Sequence, residues 1–433
     1  MTSNSSTSNP KQQKHWYERI GPGLITACVV IGPGSILTSS KVGAKYGFSM
    51  TWVILLAVVF MMVFTSLGAR LGVVAGKSPG TLIAERVGRW LSVLIGIGVF
   101  FISAAFQFGN NLGVRSAFEE FQGPLGWPSW TLDVLVVFFN VLAVVFLFGF
   151  RNLYKLVERL MMVLVAVMLI SFAINLAFAE PAWNELLKGL LPPIGHTDEA
   201  GDSVWNLSLL GLVGTTFVVT AAYFQAFLVR QKGWNREDLS EGLVDARLGV
   251  GILSLITIMI MATGASVLRG QQLDSIGTVA AGLRPTFGAF GHALFCLGLF
   301  SAAYSSFLVN SMIGGFILAD GLGLGSRQDD FSTRVATVAV LMTGMTVALL
   351  VSRANFDPVP AIVAAQAVTV LASPLVAGAL WWLTSRTDVM GDERNGFWTN
   401  FAALAGFLLL LGMGWYTATE KVLPVVLGWG DAS

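Results

Sequence analysis

The sequence predicts an all-α polytopic membrane protein with about eleven transmembrane helices, and two observations lead to this fold class. The first is composition: 55% of the 433 residues are hydrophobic and 12% are charged, whereas a soluble domain carries roughly 25% charged residues. The second is length, because a spanning helix needs about 20 apolar residues, which leaves room for roughly ten to twelve spans. The net charge of +1 gives no indication of a nucleic-acid partner.

Apolar runs that are bounded by charges, proline or glycine mark the individual spans. Their approximate residue ranges are 23–40, 50–74, 91–118, 132–150, 160–178, 207–229, 248–267, 287–318, 335–351, 360–383 and 398–415. These segments are called spans 1 to 11 below. Because the two cysteines lie inside apolar runs, we expect neither a disulfide framework nor a cysteine-based metal site.

The polar residues 1–16 are predicted to form a disordered cytoplasmic tail, because they lack the basic-then-apolar order of a signal peptide. Residues 17–180 would hold spans 1–5 as a first repeat, and residues 181–385 would hold spans 6–10 as a second. Residues 386–433 would hold span 11 and a C-terminal tail. An odd number of spans places the two termini on opposite sides of the membrane.

The distribution of Lys and Arg predicts which terminus lies on the cytoplasmic side of the membrane. Most of the 26 basic residues fall on the side of the N-terminus, and basic residues are enriched in cytoplasmic loops. We therefore expect a multi-pass protein of the inner (plasma) membrane with a cytoplasmic N-terminus. The sequence leaves the oligomeric state open.

Two spans carry signs of a broken helix. Span 1 contains Gly32, Pro33 and Gly34 at mid-membrane depth, where proline removes a backbone donor and glycine favours unwinding. Span 6 has hydroxyls at Thr216 and Thr220, with β-branched residues between them. Since an inverted five-plus-five repeat places its broken helices at spans 1 and 6, we predict unwinding near Pro33 and near Val218.

Several stretches resemble the NRAMP family of divalent-metal transporters over nearly the whole chain. They are residues 21–35 in span 1, 70–77 after span 2, 214–229 in span 6, and Gln366 with Pro374 in span 10. The resemblance implies the LeuT-type fold, with the substrate held between spans 1 and 6.

The chain departs from this family at the positions that would bind metal. The family's span 1 carries Asp-Pro-Gly-Asn, where this sequence has Gly32, Pro33, Gly34 and Ser35. The family's span 6 carries Met-Pro-His, where this sequence has residues 218–220, Val-Val-Thr. The metal-binding carboxylate, thioether and imidazole of the family are therefore all replaced.

Span 3 departs in the same way. The family has an Asp and, three residues later, a Glu that serve a proton route, and these positions are Gln107 and Asn110 here. Neither side chain titrates in the physiological range, so we expect transport without the family's proton route. Of the usual metal shell only Gln366 remains.

The remaining donors define a site without formal negative charge. The predicted substrate-binding residues are Gly32, Pro33, Gly34, Ser35, Thr216, Val218, Thr220 and Gln366. Binding a divalent cation without a balancing negative charge costs free energy in the low-dielectric interior of the membrane protein. The amide ends of helices and hydroxyl groups instead suit an anion. The first prediction is therefore a transporter of a small inorganic anion such as bicarbonate.

Two alternatives stay open. One is a transporter of a hydrated divalent cation such as Mg²⁺, held by backbone carbonyls and Gln366. The other, from a different class, is an intramembrane enzyme or sensor, although no hydrolase or metalloprotease motif supports catalysis. We predict no cofactor and no metal-ligating residues. The expected partners are the small ion and the lipid bilayer.

Further polar residues have a predicted place. Gln107, Asn110, Asn111 and Arg115 recur at helical spacing and predict a polar face of span 3 that lines a vestibule or the former proton route. Arg115 either faces that vestibule or reaches the outer interface, with Glu119 as a partner one turn on.

Three inner segments are predicted to be peripheral. Asp320 and residues 327–330 are expected in a solvated inner loop, and residues 234–247 in an amphipathic connector at the inner surface.

Overall fold

The computed structural model describes residues 21–149, 153–192, 207–353 and 359–422. Within these ranges the chain is helical and has no strand. The predicted N-terminal tail, residues 1–16, lies outside them. Both cysteines, Cys28 and Cys296, are buried.

Spans 1 and 6 are each built from two helices. Span 1 consists of Pro22–Val30 and Pro33–Tyr46, and span 6 consists of Leu207–Thr216 and Val219–Gln231. The other spans, numbered 2 to 5 and 7 to 11, are Thr51–Val74, Arg89–Leu125, Trp130–Gly149, Leu153–Ala179, Leu239–Val267, Ile276–Leu322, Phe331–Arg353, Val359–Ser385 and Phe397–Thr417. The short connecting elements are Pro79–Arg86, Trp183–Lys188, Arg236–Asp238, Thr387–Met390 and Gly391–Glu393, and Ala418–Val422 extends span 11.

The described residues contain nine helices that are long and apolar enough to cross a membrane, and the bent pair of span 1 makes ten. Span 10, Val359–Ser385, occupies the place predicted for it, although the side chains of its first half lie outside the described part. The predicted all-helical, polytopic fold class is confirmed. The division into repeats at 17–180 and 181–385 stays a prediction.

Burial separates central spans from peripheral ones. In the most apolar stretch of span 6, 89% of the residues are buried inside the protein, compared with 28% in span 9 and 33% in spans 4 and 11. Span 8 packs along spans 3, 5 and 9, while span 7 packs on both halves of span 1. The two broken spans therefore lie at the centre, with peripheral helices facing the lipid.

Close helix packing holds the second half of span 1 against span 7. A Cβ atom on Gly43 would lie 2.2 Å from the Met261 carbonyl oxygen, and one on Gly264 would lie 2.8 Å from the Ser40 carbonyl oxygen. Only glycine permits backbones to approach this closely, as is common where membrane helices pack.

Span 8 begins earlier than predicted. The sequence places its start near residue 287, but the helix begins at Ile276 and bends at Gly288, where φ is 63°. Ser275 caps the helix by accepting a hydrogen bond from the Thr278 amide. A strong N-cap outside the apolar run thus extends the helix beyond what hydropathy indicates.

The prediction that Asp320 lies in a solvated loop is wrong. Asp320 belongs to span 8 and is 3% exposed. Its carboxylate accepts hydrogen bonds from the Ser78 hydroxyl and, at 2.7 Å, from the Gly80 amide. It therefore caps the short helix Pro79–Arg86, and the partners that bury it are about 240 residues away in sequence.

Candidate functional site

Span 1 is broken where the sequence predicts. Its two halves meet at an angle of 59°, and Gly32 between them is extended, with φ −119° and ψ −179°. Pro33 then starts the second half, a position where its missing N–H and fixed φ are tolerated. The break thus follows directly from the Gly-Pro-Gly run.

The break leaves backbone carbonyls that need new donors. In a continuous helix the Val29 carbonyl would accept from residue 33, but proline has no N–H. The hydroxyl of Ser306, on span 8, donates to this carbonyl instead at 3.0 Å. The Ser35 hydroxyl donates to the neighbouring Val30 carbonyl. Side-chain hydroxyls from two helices therefore satisfy the carbonyl end of the first half.

Span 6 is interrupted at Phe217 and Val218 without proline or glycine. The Phe217 ring packs against two rings of span 2, with centroid distances of 5.9 Å to Phe60 and 5.2 Å to Phe64. The residue at which the helix is interrupted therefore packs against span 2. The unwinding predicted near Val218 is found there.

The predicted residues of span 6 are buried near this break. Thr216, Val218 and Thr220 are 1%, 5% and 2% exposed, and the Thr216 hydroxyl has no hydrogen-bond partner among the described residues. The contact to span 1 comes instead from Thr215, which sequence reasoning missed.

Thr215 reaches span 1 through both its carbonyl and its hydroxyl. Its carbonyl lies 3.4 Å from the Ser35 hydroxyl, and its own hydroxyl lies 3.2 Å from that of Thr38. The signal available in the sequence was the Gly-Thr-Thr run at 214–216. The structure therefore brings Ser35 together with span 6 through the residue before the predicted one.

Span 3 approaches the break from the other side. Asn110 is 2% exposed, and its Oδ1 lies 3.2 Å from where a Cβ of Gly32 would be. Gln107 is fully buried, and neither of its amide atoms has a hydrogen-bond partner in the described structure. Asn111 accepts a hydrogen bond at 2.7 Å from Asn140 of span 4. Asn110 is thus the member of the predicted polar face that reaches the break.

Arg115 is held by an acidic partner that the sequence analysis did not consider. It pairs with Asp133 on span 4, and the same carboxylate accepts at 2.9 Å from Arg353 at the end of span 9. One carboxylate therefore ties spans 3, 4 and 9 together at the predicted outer side. The ion pair with Asp133 accounts for the position of Arg115 inside span 3 without Glu119 or an open vestibule.

The other end of span 1 is anchored by Asp245. Its carboxylate accepts hydrogen bonds from the Gly21 amide at 2.8 Å and from the Gly23 amide at 2.6 Å. Asp245 is 4% exposed and belongs to span 7, which begins at Leu239. The prediction of an amphipathic connector over residues 234–247 is therefore wrong from Leu239 onward, where the chain already belongs to span 7. The Asp245 carboxylate is buried because it caps the N-terminal end of span 1.

The site at the break consists of neutral oxygen and nitrogen donors. No group of three His, Cys, Asp or Glu side chains in the described ranges is arranged to hold a metal ion. The side chain of Gln366 lies outside the described residues. The arrangement can coordinate an ion through carbonyls, hydroxyls and amides, and it offers amide ends at Gly34 and Ser35.

This architecture agrees with a sequence-family match over nearly the whole chain. The model of the Nramp family, described as natural resistance-associated macrophage protein-like, matches residues 23–420. The chain belongs to the Nramp family. It is therefore a multi-pass membrane transporter, as the sequence resemblance implies.

Relatives and solved structures agree with this membership. The divalent metal cation transporter MntH of Staphylococcus aureus is 23% identical over 411 residues, which cover 90% of this chain and 88% of the relative. A mutant of the Eremococcus coleocola manganese transporter has a TM-score of 0.78 at 17% identity and covers 99% of this chain and 92% of its own.

The fold also resembles that of a more distant transporter. Mhp1, a nucleobase-cation-symport-1 family transporter, has a TM-score of 0.53 at 14% identity and covers 95% of this chain and 96% of its own. At such low identities these likenesses show the LeuT-type fold of this Nramp protein.

Proposed function

We propose that this Nramp protein transports a divalent metal cation that keeps much of its hydration shell. The observation that carries the proposal is the family match over residues 23–420, together with relatives that are named for divalent metal cations and for manganese. The bicarbonate prediction has no support from these relatives. The alternative made from the sequence, a hydrated cation such as Mg²⁺, fits them better.

The donor set argues for a hard cation that is bound weakly. The break offers the hydroxyl of Ser35, the carbonyl of Thr215 and the amide of Asn110. Hard ions such as Mg²⁺ take oxygen ligands and keep several waters, whereas Mn²⁺ and softer ions gain from imidazole and sulfur. With no carboxylate to balance the charge, retained water must screen it, so we expect low affinity and no tight Mn²⁺ binding.

A small anion such as bicarbonate is the second candidate. It is favoured by one feature of the site: the second half of span 1 starts at Pro33, so its amide end lies at Gly34 and Ser35, beside the break. A helix amide end attracts negative charge.

The test is uptake by proteoliposomes that contain the purified protein. We expect Mg²⁺ to enter along its own gradient, without a pH change inside, because Gly32, Gln107, Asn110 and Thr220 cannot carry a proton. Bicarbonate uptake without any divalent-cation uptake would replace the proposal by the second candidate. Proton influx that strictly requires the substrate would contradict the uncoupled mechanism.

A matched pair of serines tests the site itself. Ser35 and Ser39 lie one turn apart on the same half helix, and both are buried. The Ser35 hydroxyl bonds to the break, while that of Ser39 has no partner in the described structure. We expect Ser35→Ala to weaken uptake several-fold and Ser39→Ala to leave it nearly unchanged. Equal effects would contradict a substrate site at the break.

A further inference from the structure

A small cavity lies between the second half of span 1 and spans 5 and 7. Its polar wall consists of Ser40 from span 1, Asn175 from span 5 and Thr263 from span 7, and all three residues are buried. The cavity leaves about 10 Å³ for the centre of a water molecule, which is roughly the space that one buried water needs. It therefore has room for a single water and for nothing larger.

Asn175 supplies an independent indication of a ligand in this cavity. Its side chain is 1% exposed, and neither its Oδ1 nor its Nδ2 has a hydrogen-bond partner among the described residues. A buried polar group without a partner is costly. A cation would leave the Nδ2 donors of the amide unpaired and an anion would leave the Oδ1 acceptor unpaired, whereas water both donates and accepts hydrogen bonds.

The two hydroxyl groups supply further partners for a water. The Thr263 hydroxyl donates its proton to the Met259 carbonyl at 2.9 Å, so its oxygen is left to accept a hydrogen bond. The Ser40 hydroxyl has both a proton and lone pairs to offer. Together with the amide of Asn175, these groups provide the two to four polar partners that a buried water requires.

The rest of the cavity wall is apolar and includes the rings of Phe172 and Phe295. No charged side chain of the described residues lines the cavity, and a neutral ligand suits such a site because burying an unbalanced charge is costly. We propose that one ordered water binds between spans 1, 5 and 7 and forms hydrogen bonds with Asn175, Thr263 and Ser40.

The water links span 5 to a closely packed pair of helices. Gly43 and Gly264 bring the second half of span 1 against span 7, whereas the Asn175 side chain makes no direct hydrogen bond to either helix. A bridging water is nearly as favourable as a direct hydrogen bond. Span 5 is thus tied to this pair through the water, whichever substrate the protein transports.

The experiment is X-ray radiolytic labelling of the purified protein in detergent, without substrate. Radiolysis of a bound water produces a hydroxyl radical in place, which oxidises adjacent aromatic rings, whereas radicals from the bulk solvent do not reach buried rings. We therefore expect oxidation of Phe172 or Phe295. Phe316 is the control, because it is also 2% exposed but packs against Phe224. No oxidation of the cavity rings, or equal oxidation of Phe316, would overturn the proposal.

A matched pair of threonines in span 7 locates the water. Thr257 and Thr263 are both buried, and each hydroxyl donates at 2.9 Å to the carbonyl four residues earlier, but only Thr263 lines the cavity. We expect Thr263→Val to lose much of the labelling of the cavity rings and Thr257→Val to retain it. Equal labelling in the two variants would contradict the proposed partners.

A variant of span 5 tests the same water from the other side. Asn175→Leu removes both amide atoms and fills the cavity, so labelling of Phe172 and Phe295 should disappear. Labelling that persists in this variant would overturn the proposal, and the variant also provides the test if Thr263→Val does not fold.

Discussion

Spans 1 and 6 are both interrupted near their middle, but different forces hold the two interruptions. In span 1 the Gly-Pro-Gly run removes backbone donors, and polar groups replace them: Ser306 at the break and Asp245 at the start of the helix. In span 6 the break at Phe217 has no proline or glycine, and the Phe217 ring packs against Phe60 and Phe64.

This contrast indicates which half of the site can vary in chemistry. On the polar side, substitution of a single hydroxyl or amide side chain would alter which ion binds, because each of these side chains acts through one or two hydrogen bonds. The aromatic side depends on shape, since a packed core tolerates little change in volume. We therefore expect substrate specificity to depend on the side chains of spans 1 and 3, and stability of the break in span 6 on the packing between spans 2 and 6.

The largest expected effect is on the aromatic side. Phe217→Ala removes a ring that is 2% exposed, and such truncations in a packed core cost about 3–5 kcal/mol. The melting temperature of the purified protein should fall strongly. Phe401→Ala is the control, because Phe401 is 61% exposed and should have little effect. A similar small loss in both variants would show that packing does not fix this break.

The next effect concerns the polar anchor at the start of span 1. Asp245→Asn leaves one acceptor oxygen for two amides, those of Gly21 and Gly23, and a buried donor without a partner costs about 1–3 kcal/mol. We expect a clear fall in melting temperature and easier proteolysis near residue 21. Asp274→Asn, at an exposed position, should behave like the wild type. Equal behaviour of the two variants would contradict the capping role.

The sequence predicts the features that depend on hydrogen bonds within one helical turn, and it misses those that depend on residues far away in the chain. Pro33 alters hydrogen bonding within its own turn, so a local pattern reveals the break. Asp245 and Asp320 bond to amides more than 200 residues away, and no local pattern distinguishes them from solvated acids. Thr215 was missed for a related reason, since which of two adjacent hydroxyls faces span 1 depends on helix rotation.

A smaller effect tests the link between Pro33 and Ser306. Pro33→Ala returns an N–H that can bond to the Val29 carbonyl, so the Ser306 hydroxyl should matter less in that background. In a double-mutant cycle we expect Ser306→Ala to lose about 1 kcal/mol less stability when Pro33 is already replaced. Chemical unfolding of the four proteins measures this coupling. Strictly additive losses would mean that the hydroxyl does not substitute for the missing amide.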